Sequence, residues 1–216
     1  MTRVLVICEG PTEVEFVRRC LAPHFVGLLI WLEASVLQAK SGQHRGGRVT
    51  VERIINQIEF TSSRFDFVTT LVDLYGFQDR GGRDADTLCR AILADERVMP
   101  LLDGARPKVI PYVQVHEFEA LLFSDVTAFE VVPDALKSDQ ILASLRAIAD
   151  GYDTPEHIND GPLTAPSKRI LSTLPKGTYG KVEHGALIAQ RIGIPRMRAA
   201  CLGFDRWVRQ LEGLEG

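Results

Sequence analysis

Three apolar, strand-like runs of this 216-residue chain each end in a carboxylate: Glu9 after Val4–Cys8, Asp73 after Phe67–Val72, and Glu117 after Lys108–Val115. In open α/β sheets ligands gather at the carboxyl ends of the strands, so these three acids can meet although far apart in sequence. An ionised carboxylate at the rim of a buried strand is costly unless it is paired or bound to a cation. All-oxygen donors suit Mg2+ or Mn2+ rather than zinc. Glu13 follows Glu9 by one helical turn and Glu119 follows Glu117 by two positions, so the expected metal ligands are Glu9, Glu13, Asp73, Glu117 and Glu119. Two ions ~3.5–4 Å apart are the usual device for in-line hydrolysis of a phosphodiester. Glu117 and Glu119 share a face if the backbone there is extended and diverge if it is helical. Strand-end acids also serve as helix caps and ion-pair partners. Any one of them alone reads as structural, and it is Glu9 together with Asp73 that points to a metal.

Basic residues that could grip phosphate fall on glycine-containing loops. Lys40, Arg45 and Arg48 lie in KSGQHRGGR, and Arg80 and Arg83 lie in a second loop after Asp73. Guanidinium forks pair bidentately with phosphate oxygens, although a solvated loop is the plainer reading of each. Lys168 and Arg169 follow Ser167 at a helix start behind Pro166, where backbone donors favour an anion. Lys181, after Tyr179-Gly180, is a candidate for steadying charge that develops on a transferring phosphate. Lys168 and Lys181 therefore join Glu9, Asp73 and Glu117 as expected catalytic groups. His116 could shuttle protons at neutral pH, but on a strand it would face away from Glu117, and it reads as structural.

These residues need a scaffold that brings strand ends together. Val4–Cys8 has the β-branched pattern of a strand buried on both faces. Thr12 with Glu15 forms a capping box for a first helix that buries Val14, Val17 and Leu21. A second strand is expected over residues 27–39, a second helix carrying Val51, Ile54, Ile55 and Ile58, a third capped by Asp84, and a further strand over Lys108–Val115 that Pro111 interrupts. After about Val131 no strand-like run remains. Residues 136–150, 165–174, 182–192 and 204–214 read as short helices. The charge shifts as well: residues 1–150 carry 16 basic and 21 acidic side chains, residues 151–216 carry 9 and 7. The expected organisation is an α/β domain over residues 1–130 and a helical C-terminal subdomain over 131–216.

Composition narrows the function classes. The net charge of −3 means that nucleic-acid affinity must come from a local basic patch. No apolar run approaches the ~18–20 residues that span a bilayer, and the N-terminus lacks the features of a secretory signal. Four scattered cysteines fit free thiols in a reducing cytoplasm. There is no GxxxxGK[ST], GxGxxG after a strand, HExxH or GxSxG, which excludes the usual P-loop, dinucleotide, zinc-protease and serine-hydrolase devices.

Glu9-Gly10-Pro11-Thr12-Glu13 with Asp73 closing a later strand resembles the Toprim fold of topoisomerases, primases and overcoming-lysogenization-defect nucleases. The wider pattern is similar to a Toprim-like prokaryotic family catalogued as domain of unknown function 4276. Its marks here are Asp73-Leu74-Tyr75, His116-Glu117-Phe118-Glu119-Ala120-Leu121-Leu122-Phe123, Ala165-Pro166-Ser167-Lys168-Arg169, Tyr179-Gly180-Lys181, Cys201-Leu202-Gly203-Phe204 and Trp207. The resemblance implies a mostly parallel sheet flanked by helices and Mg2+-dependent cleavage of DNA or RNA, with Glu9 and Asp73 as metal ligands. It also implies a partner ATPase in an antiphage system. Toprim proteins usually carry Asp-x-Asp, whereas Tyr75 stands at the second acid here. A non-catalytic module that binds nucleic acid or the ATPase is the rival reading, and a small-molecule phosphatase a third. A homodimer is the default oligomer by symmetry.

Overall fold

The computed structural model describes residues 1–38, 48–104, 108–158, 161 and 163–214. Strand β1 (Thr2–Cys8) runs to Glu9, and helix α1 (Pro11–Phe16) follows after one tight turn. Pro11 occupies the first helical position, where its fixed φ and missing N–H cost nothing. The helix therefore starts one residue before Thr12, and Glu13 rather than Glu15 reaches back to the cap: the Gly10 N–H donates to Glu13 Oε2 at 2.8 Å. The expected Thr12–Glu15 box is corrected accordingly. A π-helical turn over Val17–Leu21 links α1 to α2 (Ala22–Phe25). Pro23 cannot donate to the turn before it, which accounts for the break in the α-ladder there.

The second strand is shorter than the apolar run suggested. A 3-10 turn over Val26–Leu28 and a left-handed Leu29 (φ 56°) delay β2 to Ile30–Val36. Helix α3 (Val51–Thr61) is capped by Thr50, β3 spans Phe67–Asp73, and α4 (Ala85–Leu93) is capped by Asp84. The Lys108–Val115 run is interrupted at Pro111 as expected, and divides into β4 (Val109–Ile110) and β5 (Val113–Gln114), both parallel to β3. Proline has no N–H for the ladder, and the Thr70 hydroxyl bridges the gap: it accepts from the Tyr112 N–H at 2.8 Å and donates to the Tyr112 carbonyl at 2.7 Å.

The sheet order is β2-β1-β3-β4, and every described pairing is parallel. The connection leaving β1 covers one face, where Val4, Val6 and Cys8 meet Val14, Phe16 and Leu21. The connections leaving β2 and β3, which carry α3 and α4, cover the other face, where Leu5 and Ile7 meet Ile54, Leu88 and Ile92. The chain thus parts to opposite faces between β1 and β3, and the crevice this opens lies at Glu9 and Asp73. That is the topological switch point at which α/β sheets bind ligands.

The rest of the chain is helical: α5 (Pro133–Leu136), α6 (Asp139–Asp150), α7 (Pro166–Thr173), α8 (Lys181–Ile192), α9 (Ile194–Ala200) and α10 (Leu202–Glu212). Helix α9 lies in a stretch for which the sequence suggested none. Gly193 (φ 78°) ends α8, and Pro195 restarts the chain in the next helix. Residues from α6 to α10 share one apolar cluster with the first face of the sheet. Trp207 seals it, stacking on Tyr112 at 4.6 Å and donating its Nε1–H to Thr69 Oγ1 at 2.8 Å.

Candidate active site

Glu9, Glu13, Asp73, Glu117, Glu119 and Lys181 line one cavity of about 300 Å³ at the switch point. Backbone amides hold the carboxylates. The Asp73 N–H donates to Glu9 Oε2 (3.3 Å), the Gly10 N–H to Glu13 Oε2 (2.8 Å), and the Phe118 N–H to Asp73 Oδ1 (2.8 Å). Glu9 lies so close to Gly76 that a Cβ there would come within 2.2 Å of Glu9 Oε2. Only glycine fits.

The Glu117–Glu119 segment is not extended. Glu117 is the extended N-cap of a 3-10 helix, Phe118–Ser124, and Glu119 stands in its first turn. The two side chains nevertheless line the same cavity, because the change of backbone direction falls between them, so the expectation that helical backbone would part them is corrected. The loop is anchored to the sheet by the Tyr75 N–H, which donates to the His116 carbonyl at 3.1 Å. His116 has a positive φ of 65°, unusual for a residue with a side chain. Tyr75 lines the cavity and is 48% exposed.

The C-terminal helices complete the cavity from the other side. Lys181, the first residue of α8, places Nζ 3.1 Å from Glu119 Oε1. At the start of α7, the Ser167 N–H donates to Glu117 Oε2 (2.8 Å) and Ser167 Oγ donates to Glu117 Oε1 (3.1 Å). Both oxygens of Glu117 are thus engaged, against one oxygen each of Glu9, Glu13, Asp73 and Glu119 in the bonds just described.

The electrostatics are those of excess negative charge. Burial, then repulsion from Glu9 and Glu119, pushes Glu13 up to about 7. Burial together with the surrounding acids raises Asp73 well above the usual carboxylate range and raises Glu9. Burial raises Glu119 even though Lys181 pulls it down. Burial would lower Lys181, but Glu119, Glu117 and Asp73 outweigh it and raise the ammonium. Among the described residues no three His, Cys, Asp or Glu side chains form a ready-made metal cage. The donor set is nonetheless all oxygen, one lysine balances only part of its charge, and hard-cation chemistry fits both facts.

The expected basic residues do not gather here. Lys40 and Arg45 lie outside the described residues. Arg48 precedes Val49, whose N–H donates to the carbonyl of cavity-lining Gly76 at 3.2 Å, but Arg48 does not itself line the cavity. Arg80 and Arg83 are tied to each other's carbonyls at 3.1 and 3.0 Å. Arg169 donates to the Thr164 carbonyl and the Tyr152 hydroxyl. Each of these bonds ties part of a guanidinium to its local surroundings. Lys168 is exposed and outside the cavity. Two contributors went unnoticed in sequence, Gly76 and Ser167. The second left a trace: Ala165-Pro166 is a helix start with no capping side chain, so a distant acceptor had to serve it.

This arrangement defines a Toprim-like α/β protein. Over 98% of this chain and 99% of the other, the fold matches the C-terminal region of the Burkholderia pseudomallei OLD protein, the Toprim-containing region, at 17% identity and a TM-score of 0.50. The corresponding region of the Xanthomonas campestris pv. campestris OLD protein aligns at 13% identity, covering 99% of this chain and 95% of that one, with a TM-score of 0.43. Residues 8–212 match the family described as Domain of unknown function (DUF4276), and the chain belongs to it. No curated protein matches. No helix among the described residues is long and apolar enough to cross a membrane.

Proposed function

We propose that this protein is a divalent-metal-dependent phosphodiester hydrolase of Toprim type acting on nucleic acid. The observation that carries the reading is the convergence of Glu9, Glu13, Asp73, Glu117 and Glu119 on one cavity with Lys181 as its cation. Glu9, Glu13, Asp73 and Glu119 would hold Mg2+ or Mn2+, with Glu117 as a further, firmly fixed donor. Such an ion supplies Lewis-acid stabilisation and an activated water. The chain's own groups do the rest. Backbone amides orient the carboxylates, Lys181 stands ready to steady negative charge on the transferred phosphate, and the exposed Tyr75 ring forms part of the cavity wall. In this proposal residues 1–130 carry the acids, and 131–216 form the helical part that supplies Ser167, Lys168 and Lys181. Nucleic acid is gripped outside the cavity, with the loops of Lys40, Arg45, Arg48, Arg80 and Arg83, and Arg169, as the proposed contacts. We further propose a partner ATPase, a cytoplasmic antiphage role and a homodimer. The support for the ATPase and for that role is likeness to the OLD family alone.

Purified protein with Mn2+ should cleave labelled DNA or RNA oligonucleotides, and Glu9→Gln or Asp73→Asn should reduce cleavage by at least ~100-fold with the fold intact by circular dichroism. Cleavage retained in both variants rejects the assignment. The non-catalytic reading draws on Tyr75 at the usual second acid and on the double engagement of Glu117. It predicts no calorimetric heat with millimolar Mn2+.

A further inference from the structure

We propose that Ser167 is a positioning residue for the acid site: from the C-terminal helical part it fixes the Glu117 carboxylate as a donor wall of the cavity. This rests on the hydrolase reading above and adds to it a residue that does not itself line the cavity and acts through Glu117. The two bonds come from one residue, N–H to Oε2 at 2.8 Å and Oγ–H to Oε1 at 3.1 Å, so they fix both the rotation and the direction of the carboxyl plane. Both partners are buried, Ser167 at 1% exposure and Glu117 at 8%, where a charge-assisted hydrogen bond is strong and a lost one is felt. The bond spans fifty residues of sequence, joining the loop after β5 to the start of α7.

Helix capping alone would not require this geometry. Helix α10 starts behind Cys201 with no capping side chain and is served by another buried acid, Glu156, which accepts from the N–H groups of Gly203 (2.9 Å) and Phe204 (3.1 Å). There the backbone donates both bonds. At α7 the side chain donates the second, and the carboxylate it fixes lines the acid cavity, as Glu156 does not. Carboxylates that bind metal are themselves held by hydrogen bonds, and loss of such an outer partner typically costs about 10–100-fold in affinity or activity.

The test is Mn2+ calorimetry on the full chain. Ser167→Ala should weaken Mn2+ binding about tenfold and lower kcat with KM unchanged, and Ser167→Thr, which keeps a hydroxyl, should restore both. In a Glu117→Gln background, Ser167→Ala should have no further effect on Mn2+ affinity, an outcome that a purely structural role would not produce. If Ser167→Ala lowers the melting temperature but binds Mn2+ within twofold of wild type, the inference is overturned and the hydrolase reading stands. If the wild-type chain itself takes up no Mn2+, the hydrolase reading fails first.

Discussion

Two clusters of acids in this molecule have opposite electrostatic characters. On the surface of the helical part, Asp205 and Glu212 share Arg198, whose Nε lies 2.7 Å from Asp205 and whose Nη1 lies 2.6 Å from Glu212. Arg209 and His24 add further bonds. The hydrogen bond from Arg198 holds the Asp205 carboxyl below its ordinary range. Burial works against Glu212, but bonds from His24 and Arg198 bring it below as well. In the cavity at the strand ends the acids outnumber their cation, burial and mutual repulsion dominate, and Glu9, Glu13, Asp73 and Glu119 are all raised. The residue types are the same in both places. What separates a structural ion-pair network from a candidate site is whether the charge is balanced by the protein itself.

Substitutions should separate the two clusters. The largest effect of these is expected at Gly76, which lines the cavity. Gly76→Ala places a methyl against the Glu9 carboxylate, and a displacement of about 1 Å there should cost ~100-fold in cleavage rate, read on a labelled oligonucleotide. An unchanged rate would mean that Glu9 has no fixed position to lose. Arg198→Ala should do the reverse: about 1–2 kcal/mol of stability lost in urea titration, with cleavage within twofold of wild type.

The smallest effect is in pH. Glu13 is raised from 4.5 to about 7 in the folded chain, so between those values the native state binds more protons than the unfolded one. Its contribution to stability is complete below about pH 4.5 and is lost as pH rises through 7. In chelator, the melting temperature should therefore fall by a few degrees between pH 5 and 8, and Glu13→Gln should flatten the profile. The Arg198 cluster runs the other way. The lowered Asp205 and Glu212 add stability above their unfolded pKa values and lose it in acid. A profile through pH 5–8 that Glu13→Gln leaves unchanged would break the contrast.

Much of this was legible in the chain because burial on both faces writes a continuous apolar run, and β1 and β3 stand almost where Val4–Cys8 and Phe67–Val72 placed them. The acids could be read because each terminates such a run. Local backbone chemistry misled elsewhere. Pro11 displaced the helix cap from Thr12 to Gly10, and a left-handed Leu29 shortened β2. The basic residues are a different case: composition shows that Arg80, Arg83 and Arg169 can hold phosphate, and does not show that each also donates to a nearby carbonyl. Ser167 and Gly76 were hidden because their roles depend on Glu117 and Glu9, which lie fifty or more residues away.

The lysine that lines the cavity and the serine that holds Glu117 come from the last third of the polypeptide, whereas every acid of the cavity comes from the first 119 residues. A ribosome therefore releases the carboxylates well before the groups that finish the site. Under the proposed function, a half-made or prematurely terminated copy would carry the acids without their cation, and a cell could build the enzyme without exposing its own nucleic acids to an active fragment.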